Sequence, residues 1–268
     1  MNLNFIDSDE IGISENLFCN NVKIGPDKNH PVIIIDNVFK DPQKFIENVI
    51  EKIPLETAAK MNRSVVDGSI SAFPGIQTEI RLRIIQLRSL LKYSINNFMD
   101  FNVDNPDELE VHYQLNIINT DEPCQWRSVQ PHVDPSMLAF TIYLNEDKDC
   151  KGGTSFYSHE KCGIYNMEHV NLRFKREEEY WEYKEWEYQN MEKFEQLVEL
   201  DKSHIDPIWK EEYHVPMKFN RMVLYPSYLW HTAVYNKEDF VNTPRLSISG
   251  FIGKEYFIGG GFREHSVE

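Results

Sequence analysis

Pro131-His132-Val133-Asp134-Pro135-Ser136-Met137-Leu138-Ala139-Phe140-Thr141-Ile142-Tyr143-Leu144 is the run on which the architecture of this chain turns. Its second half is apolar at nearly every position, so 137–144 reads as a β-strand buried on both faces. Such a strand needs a sheet around it and a covering layer on each side. The first half sets an imidazole and a carboxylate two positions apart. In an extended segment alternate side chains share a face, so His132 and Asp134 are expected to point into one space.

Working outward, short strands are expected at 31–36, 111–118, 153–157, 221–225, 231–235 and 245–252. The last alternates, with Arg245, Ser247 and Ser249 on one face and Leu246, Ile248 and Ile252 on the other. Residues 1–30 read as an edge strand and a loop, and 67–76 as a loop. Asp41-Pro42 opens a helix through about residue 53, with Asp41 as N-cap and Pro42 in the first position. Ile80, Ile84, Leu87, Leu91, Ile95 and Phe98 recur at three- and four-residue steps, which predicts an amphipathic helix over 77–99. Short strands after an N-terminal helical part suggest a sandwich or barrel with helices packed outside.

Residues 165–215 interrupt that pattern. The run is rich in glutamate, with Tyr180, Tyr183, Met191, Phe194 and Val198 at roughly helical steps. It reads as a helical insert with an acidic solvated face and an apolar underside; the sharper alternative is a lid that selects the substrate. The chain is read as one domain, 1–268: N-terminal support over 1–109, a core over 110–253 carrying the insert at about 165–215, and a tail over 254–268.

A net charge of −15 argues against nucleic-acid or anionic-membrane partners, which demand a basic face. Small molecules, basic peptides and proteins remain. The start MNLNFIDSDE lacks the basic beginning and apolar run of a secretory signal, and no apolar run approaches the roughly 20 residues of a membrane span. Cys19, Cys124, Cys150 and Cys162 are scattered without a C-x-x-C, which points to reduced thiols and a cytoplasmic protein. A disulfide between Cys150 and Cys162, which flank Gly152-Gly153, is the lesser alternative.

An H-x-D pair often arises by chance, yet histidine and aspartate are two-thirds of a mononuclear metal site. A second histidine completes the 2-His-1-carboxylate arrangement that suits non-haem iron. His231, at the start of a strand after the Pro226-Ser227 turn, is the candidate. Paired glycines at 152–153 allow positive φ and close backbone approach, although a plain hairpin turn accounts for them equally. An arginine facing into a β-core is costly unless it meets an anion. Its fork matches a carboxylate, and a hydroxyl two residues along adds a further bond. An inward Arg245 beside Ser247 therefore asks for a bound carboxylate; an outward, solvated Arg245 is the other reading.

The order PHVD, YLN, GGTSFYSH, NRMVLYPSYLWH and RLSISGF across 110–253 resembles the Fe(II)/2-oxoglutarate-dependent dioxygenases. It is most similar to their prolyl-4-hydroxylase-like branch, including uncharacterised bacterial members. The resemblance implies a mainly β protein with flanking helices and a double-stranded β-helix (jelly-roll) core. It implies Fe(II) on His132, Asp134 and His231, and 2-oxoglutarate with its far carboxylate on Arg245 and Ser247. Tyr143 is a further contact by resemblance, with a buried tyrosine making a local hydrogen bond as the alternative. O2 is then the co-reactant and ascorbate a supporting reductant. The implied reaction hydroxylates an unactivated C–H bond of an amino acid, peptide side chain or small metabolite, releasing succinate and CO2. Retention of Asp134 favours hydroxylation over halogenation. The chain departs from the pattern where relatives carry a tyrosine before H-x-D; Tyr113 and Asn119 are the stand-ins. His159 is expected to be structural rather than part of the site. A zinc hydrolase on the same ligands and a non-catalytic jelly-roll binding protein are the rival readings.

Overall fold

The computed structural model describes residues 5–7, 12–52, 75–99, 103–106, 109–161, 163, 165–167 and 177–253. Its strands are β1 (Phe5–Asp7), β2 (Phe18–Ile24), β3 (His30–Asp36), β4 (Ile76–Arg83), β5 (Val111–Ile118), β6 (Pro123–Gln125), β7 (Leu138–Tyr143), β8 (Gly153–His159), β9 (Leu197–Glu199), β10 (Trp209–Pro216), β11 (Met222–Pro226), β12 (His231–Val234) and β13 (Arg245–Ile252). The helices are α1 (Pro42–Lys52), α2 (Ile85–Phe98), α3 (Glu177–Gln189) and the single turn α4 (Met191–Phe194).

Eight strands form a wide sheet in the order β1-β4-β5-β13-β7-β11-β3-β2, and three form a small sheet, β10-β8-β12; β6 pairs with β9. Apart from the parallel pair β1 and β4, the pairings are antiparallel. From β5 onward the chain crosses between the sheets. β5, β7, β11 and β13 join the wide one, while β8, β10 and β12 join the small one. His132 forms a single bridge with His231 that extends the small sheet by one residue.

β7 is buried along its whole length because it serves two layers. Phe140 and Ile142, with Leu115, Leu224 and Ile248, meet Phe45 of α1 and Leu87, Leu91 and Ile95 of α2. Ala139 and Tyr143, with Ile34, Val223 and Tyr225, meet Phe156 and Val215 of the small sheet. Each large side chain removed from water in this way contributes about 1.5–3 kcal/mol. The helices thus pack outside the wide sheet, and the space between the sheets is left for a site. Asp41 caps α1, its Oδ1 accepting from the Lys44 N–H at 3.0 Å. Among the described residues no helix is long and apolar enough to cross a membrane.

Three expectations require correction. The helix over 77–99 begins only at Ile85, because 76–83 form β4, paired with β5 from Ile76↔Ile117 to Ile80↔Tyr113. Ile76, Thr78, Ile80 and Leu82 alternate with period two, and the step from Ile80 to Ile84 satisfies both periods. The insert over 165–215 is only partly helical: β10 is an edge strand of the small sheet, part of the core itself. Within it, Tyr183 is buried as expected, but Met191 is exposed and Val198 lies on β9. Lastly, the alternation expected to align His132 and Asp134 is not continued by a ladder, since within 131–136 only His132 forms a bridge. Cys150 is a free thiol. Cys162, the expected loop over 67–74 and the tail over 254–268 lie outside the described residues.

Candidate metal centre

Pro131 and Pro135 lack amide hydrogens, so the segment they flank cannot build a ladder. Only His132 pairs, its N–H and C=O each exchanging a 2.9 Å bond with His231. Asp134 is positioned by a bend instead of by strand alternation. Its N–H donates to the Ser227 carbonyl at 3.0 Å, and the buried Ser227 hydroxyl donates to the Ser136 carbonyl. Ser227 lies in the turn closed by the Leu229 N–H on the Pro226 carbonyl at 3.2 Å. That turn delivers His231 at the head of β12.

One ligating atom each from His132, Asp134 and His231 falls within 4.8 Å of the others. His231 Nε2 is 3.2 Å from Asp134 Oδ2, and His132 Nε2 is 3.9 Å from Asp134 Oδ1. Each Nδ1 turns to the carbonyl two residues back: His231 to Leu229 at 2.8 Å and His132 to Gln130 at 3.4 Å. An Nδ1–H that donates there leaves the Nε2 lone pair for an ion.

Burial opposes the charge of Asp134, but His231 and then His132 outweigh it and hold the carboxyl below its usual range. Desolvation of its inner edge, then the neighbouring His231 imidazole, lower the His132 pKa, although 52% of that side chain still meets solvent. At neutral pH a carboxylate and a neutral His132 imidazole therefore converge, and these are ligating forms. The ring of Tyr225 lies 4.7 Å from that of His231, with its hydroxyl engaged by Thr141.

Arg245 faces inward and is 3% exposed. Its Nη1 donates to Ser247 Oγ at 2.9 Å, and its guanidinium carbon lies 5.3 Å from the Tyr143 ring centroid and 5.4 Å from that of Tyr235. Nε has no hydrogen-bond partner. Among the described residues no carboxylate lies within ion-pair distance of it. Tyr143 is fully buried beside it, its hydroxyl 2.7 Å from Thr154 Oγ1.

Neither stand-in for the tyrosine before H-x-D reaches this space. Tyr113 packs toward Phe140 in the helix layer, ring centroids 6.1 Å apart, and Asn119 donates to Glu122. Asn116 occupies the inner face instead, directly across from Ser247. The alternation His112, Gln114, Asn116 carried that signal. His159 is fully buried among Trp209, Trp186 and Tyr183, and burial pulls its pKa down to about 4. His214 Nδ1 is 2.7 Å from Ser155 Oγ, apart from the cluster.

Two facing sheets with a His-Asp-His cluster between them define a β-rich protein with a candidate metal centre. The chain matches the model of DUF6445, a family of unknown function, over residues 18–252, and belongs to that family. No curated protein matches it. Among solved structures it is similar to a prolyl 4-hydroxylase from Phytophthora capsici, with a TM-score of 0.38 and 12% identity. That match covers 83% of this chain and 58% of the other, so the chain spans little more than half of that protein's length. It is also similar to IDO from Bacillus thuringiensis, with a TM-score of 0.33 and 8% identity, over 83% of this chain and 92% of that one. At such scores neither likeness speaks to activity.

Proposed function

We propose that this protein is a non-haem Fe(II)- and 2-oxoglutarate-dependent oxygenase that hydroxylates an unactivated C–H bond. The observation that carries this reading is Arg245: a buried cation without a carboxylate partner among the described residues, in the same inter-sheet space as a His-Asp-His cluster. A buried guanidinium is expensive unless an anion meets it, and a dicarboxylic oxo acid has one carboxylate to spare. The donor set fits iron, since two imidazoles and a carboxylate leave coordination positions open.

His132, Asp134 and His231 would hold the metal, and Arg245 with Ser247 and Tyr143 would receive the far carboxylate of 2-oxoglutarate. When bound, iron with the oxo acid and dioxygen supplies oxidative decarboxylation to succinate and CO2 and the oxidising power for hydroxylation. The chain's own residues bind and orient. Leu229 and Gln130 fix the two rings through Nδ1, Ser227 fixes the Asp134 backbone, and the rings of Tyr143 and Tyr235 shield the guanidinium from water. The crossing of strands between two sheets supports the double-stranded β-helix reading. A zinc hydrolase would use the same three ligands but gives the buried Arg245 no task.

Anaerobic addition of Fe(II) and 2-oxoglutarate tests this. A visible charge-transfer band is expected in the wild type and not in Asp134→Ala. Arg245→Ala should keep iron binding and weaken 2-oxoglutarate by about tenfold or more, as loss of a charge-assisted bond implies. Stoichiometric Fe(II) binding with no such band would falsify the proposal.

A further inference from the structure

We infer that a wall of side-chain amides on β4 and β5 seats the primary substrate, and that it takes the substrate by an amide group: a peptide bond or a carboxamide. This rests on the oxygenase reading and names the substrate class for it. On the inner face of the wide sheet, Gln77, Asn116 and Ser247 lie in one row across β4, β5 and β13, and Gln114, Ser249 and Thr141 in the next across β5, β13 and β7. The wall joins the site at both rows. Ser247 holds Arg245, and Thr141 engages Tyr225 beside His231. Adjacent strands are about 4.8 Å apart, so Gln114 lies roughly 10 Å across the sheet from Thr141, the reach of about three residues of extended chain.

The hydrogen bonds of the wall are incomplete in a specific way. Gln77 Nε2 donates to Gln114 Oε1 at 2.9 Å and to Asn116 Oδ1 at 3.1 Å, and Asn116 Nδ2 donates to Ser249 Oγ at 3.0 Å. That leaves Gln77 Oε1, an acceptor, and Gln114 Nε2, a donor, with no bond to any described residue. Turning over all three amides, Asn116 included so that its Nδ2 faces Gln77 and its Oδ1 accepts from the Ser249 hydroxyl, exchanges the two roles and still leaves one donor and one acceptor. Both glutamines are half-buried, unlike the buried Asn116, so these ends are accessible. One donor beside one acceptor is the complement of an amide N–H and C=O. A carboxylate offers acceptors only, and it would also meet Glu79, paired with Gln114 at the exposed rim. An ammonium offers donors only.

The full chain, loaded with Zn(II) and 2-oxoglutarate so that no turnover occurs, is tested by saturation-transfer NMR. The probes are aliphatic carboxylic-acid N-methylamides, their methyl esters and their free acids, none carrying a second amide. Amides are expected to bind about tenfold tighter than the matched esters and acids, the ratio worth one well-made hydrogen bond. Replacing both residues, Gln77→Leu with Gln114→Leu, removes the acceptor for the amide N–H whichever way the amides are turned, and should erase that preference while 2-oxoglutarate affinity stays unchanged. Equal binding of amide and ester, a preference that survives when Gln77 and Gln114 are both replaced by Leu, or no binding by any member of the set overturns the inference. Failure to bind metal and 2-oxoglutarate retires the oxygenase reading instead; the same comparison on the metal-free chain then decides the amide preference by the same criteria.

Discussion

Arg245 is where the demands of stability and of ligand binding part. In the folded chain its guanidinium has given up water for the Ser247 and Tyr143 hydroxyls and two ring faces. Arg245→Met is therefore expected to raise the stability of the ligand-free protein by about 1–2 kcal/mol, read as a higher urea midpoint, while 2-oxoglutarate no longer adds to it. A lower midpoint would mean the cation is already satisfied. His159 makes a second case. Its native pKa of about 4 lies below the ordinary value of about 6.5, so the folded state refuses a proton that the unfolded chain accepts. The contribution is whole above about pH 6.5, declines as pH falls from there toward about 4, and levels off below. His159→Phe should flatten urea midpoints across that window; an unchanged slope would place the titration elsewhere. The convergence of His132, Asp134 and His231 and the inward turn of Arg245 were legible from residue type and order. Asn116 was not singled out, because its importance comes from the register that sets it against Ser247, and register is not written in a single strand.

Elements were legible where one period dominates and obscure where two coincide. β13 and β7 declare themselves, one by alternation and the other by unbroken apolarity. β4 was hidden because apolar residues at steps of four serve a strand as well as a helix. β10 was hidden by the register shift between Glu211 and Tyr213, which moves Tyr213 and Val215 out of step with Trp209. The glycine pair at the head of β8 shows how an element governs the centre. Gly152 has φ +62°, and a Cβ there would collide with the Val234 carbonyl at the end of β12. β12 holds His231 opposite Phe156 through its pairing with β8. Gly152→Ala should cost about 1–3 kcal/mol and weaken metal binding as well, since the same ladder carries the ligand. Calorimetry with metal titration checks both, and an unchanged metal affinity would detach the centre from that ladder.

At the scale of the whole molecule, the three candidate ligands come from two segments that meet only when the sheets have assembled, so metal should bind the folded chain and not the unfolded one. Saturation at a hundred times Kd would add about 2.7 kcal/mol. For a chain of this length that is roughly 5–10 °C in Tm. Chelator should remove the increment in the wild type and do nothing to Asp134→Ala; a Tm indifferent to Fe(II) and chelator in both would argue against the centre. His132 and His231 are joined by reciprocal main-chain bonds, so neither imidazole relies on the other's side chain for its place. Chemical identity at this centre is thereby uncoupled from its framework. Exchanging one ring for a thiolate or a carboxylate would alter which ion is preferred while the opposite donor kept its position, so a lineage could change its metal without rebuilding its fold.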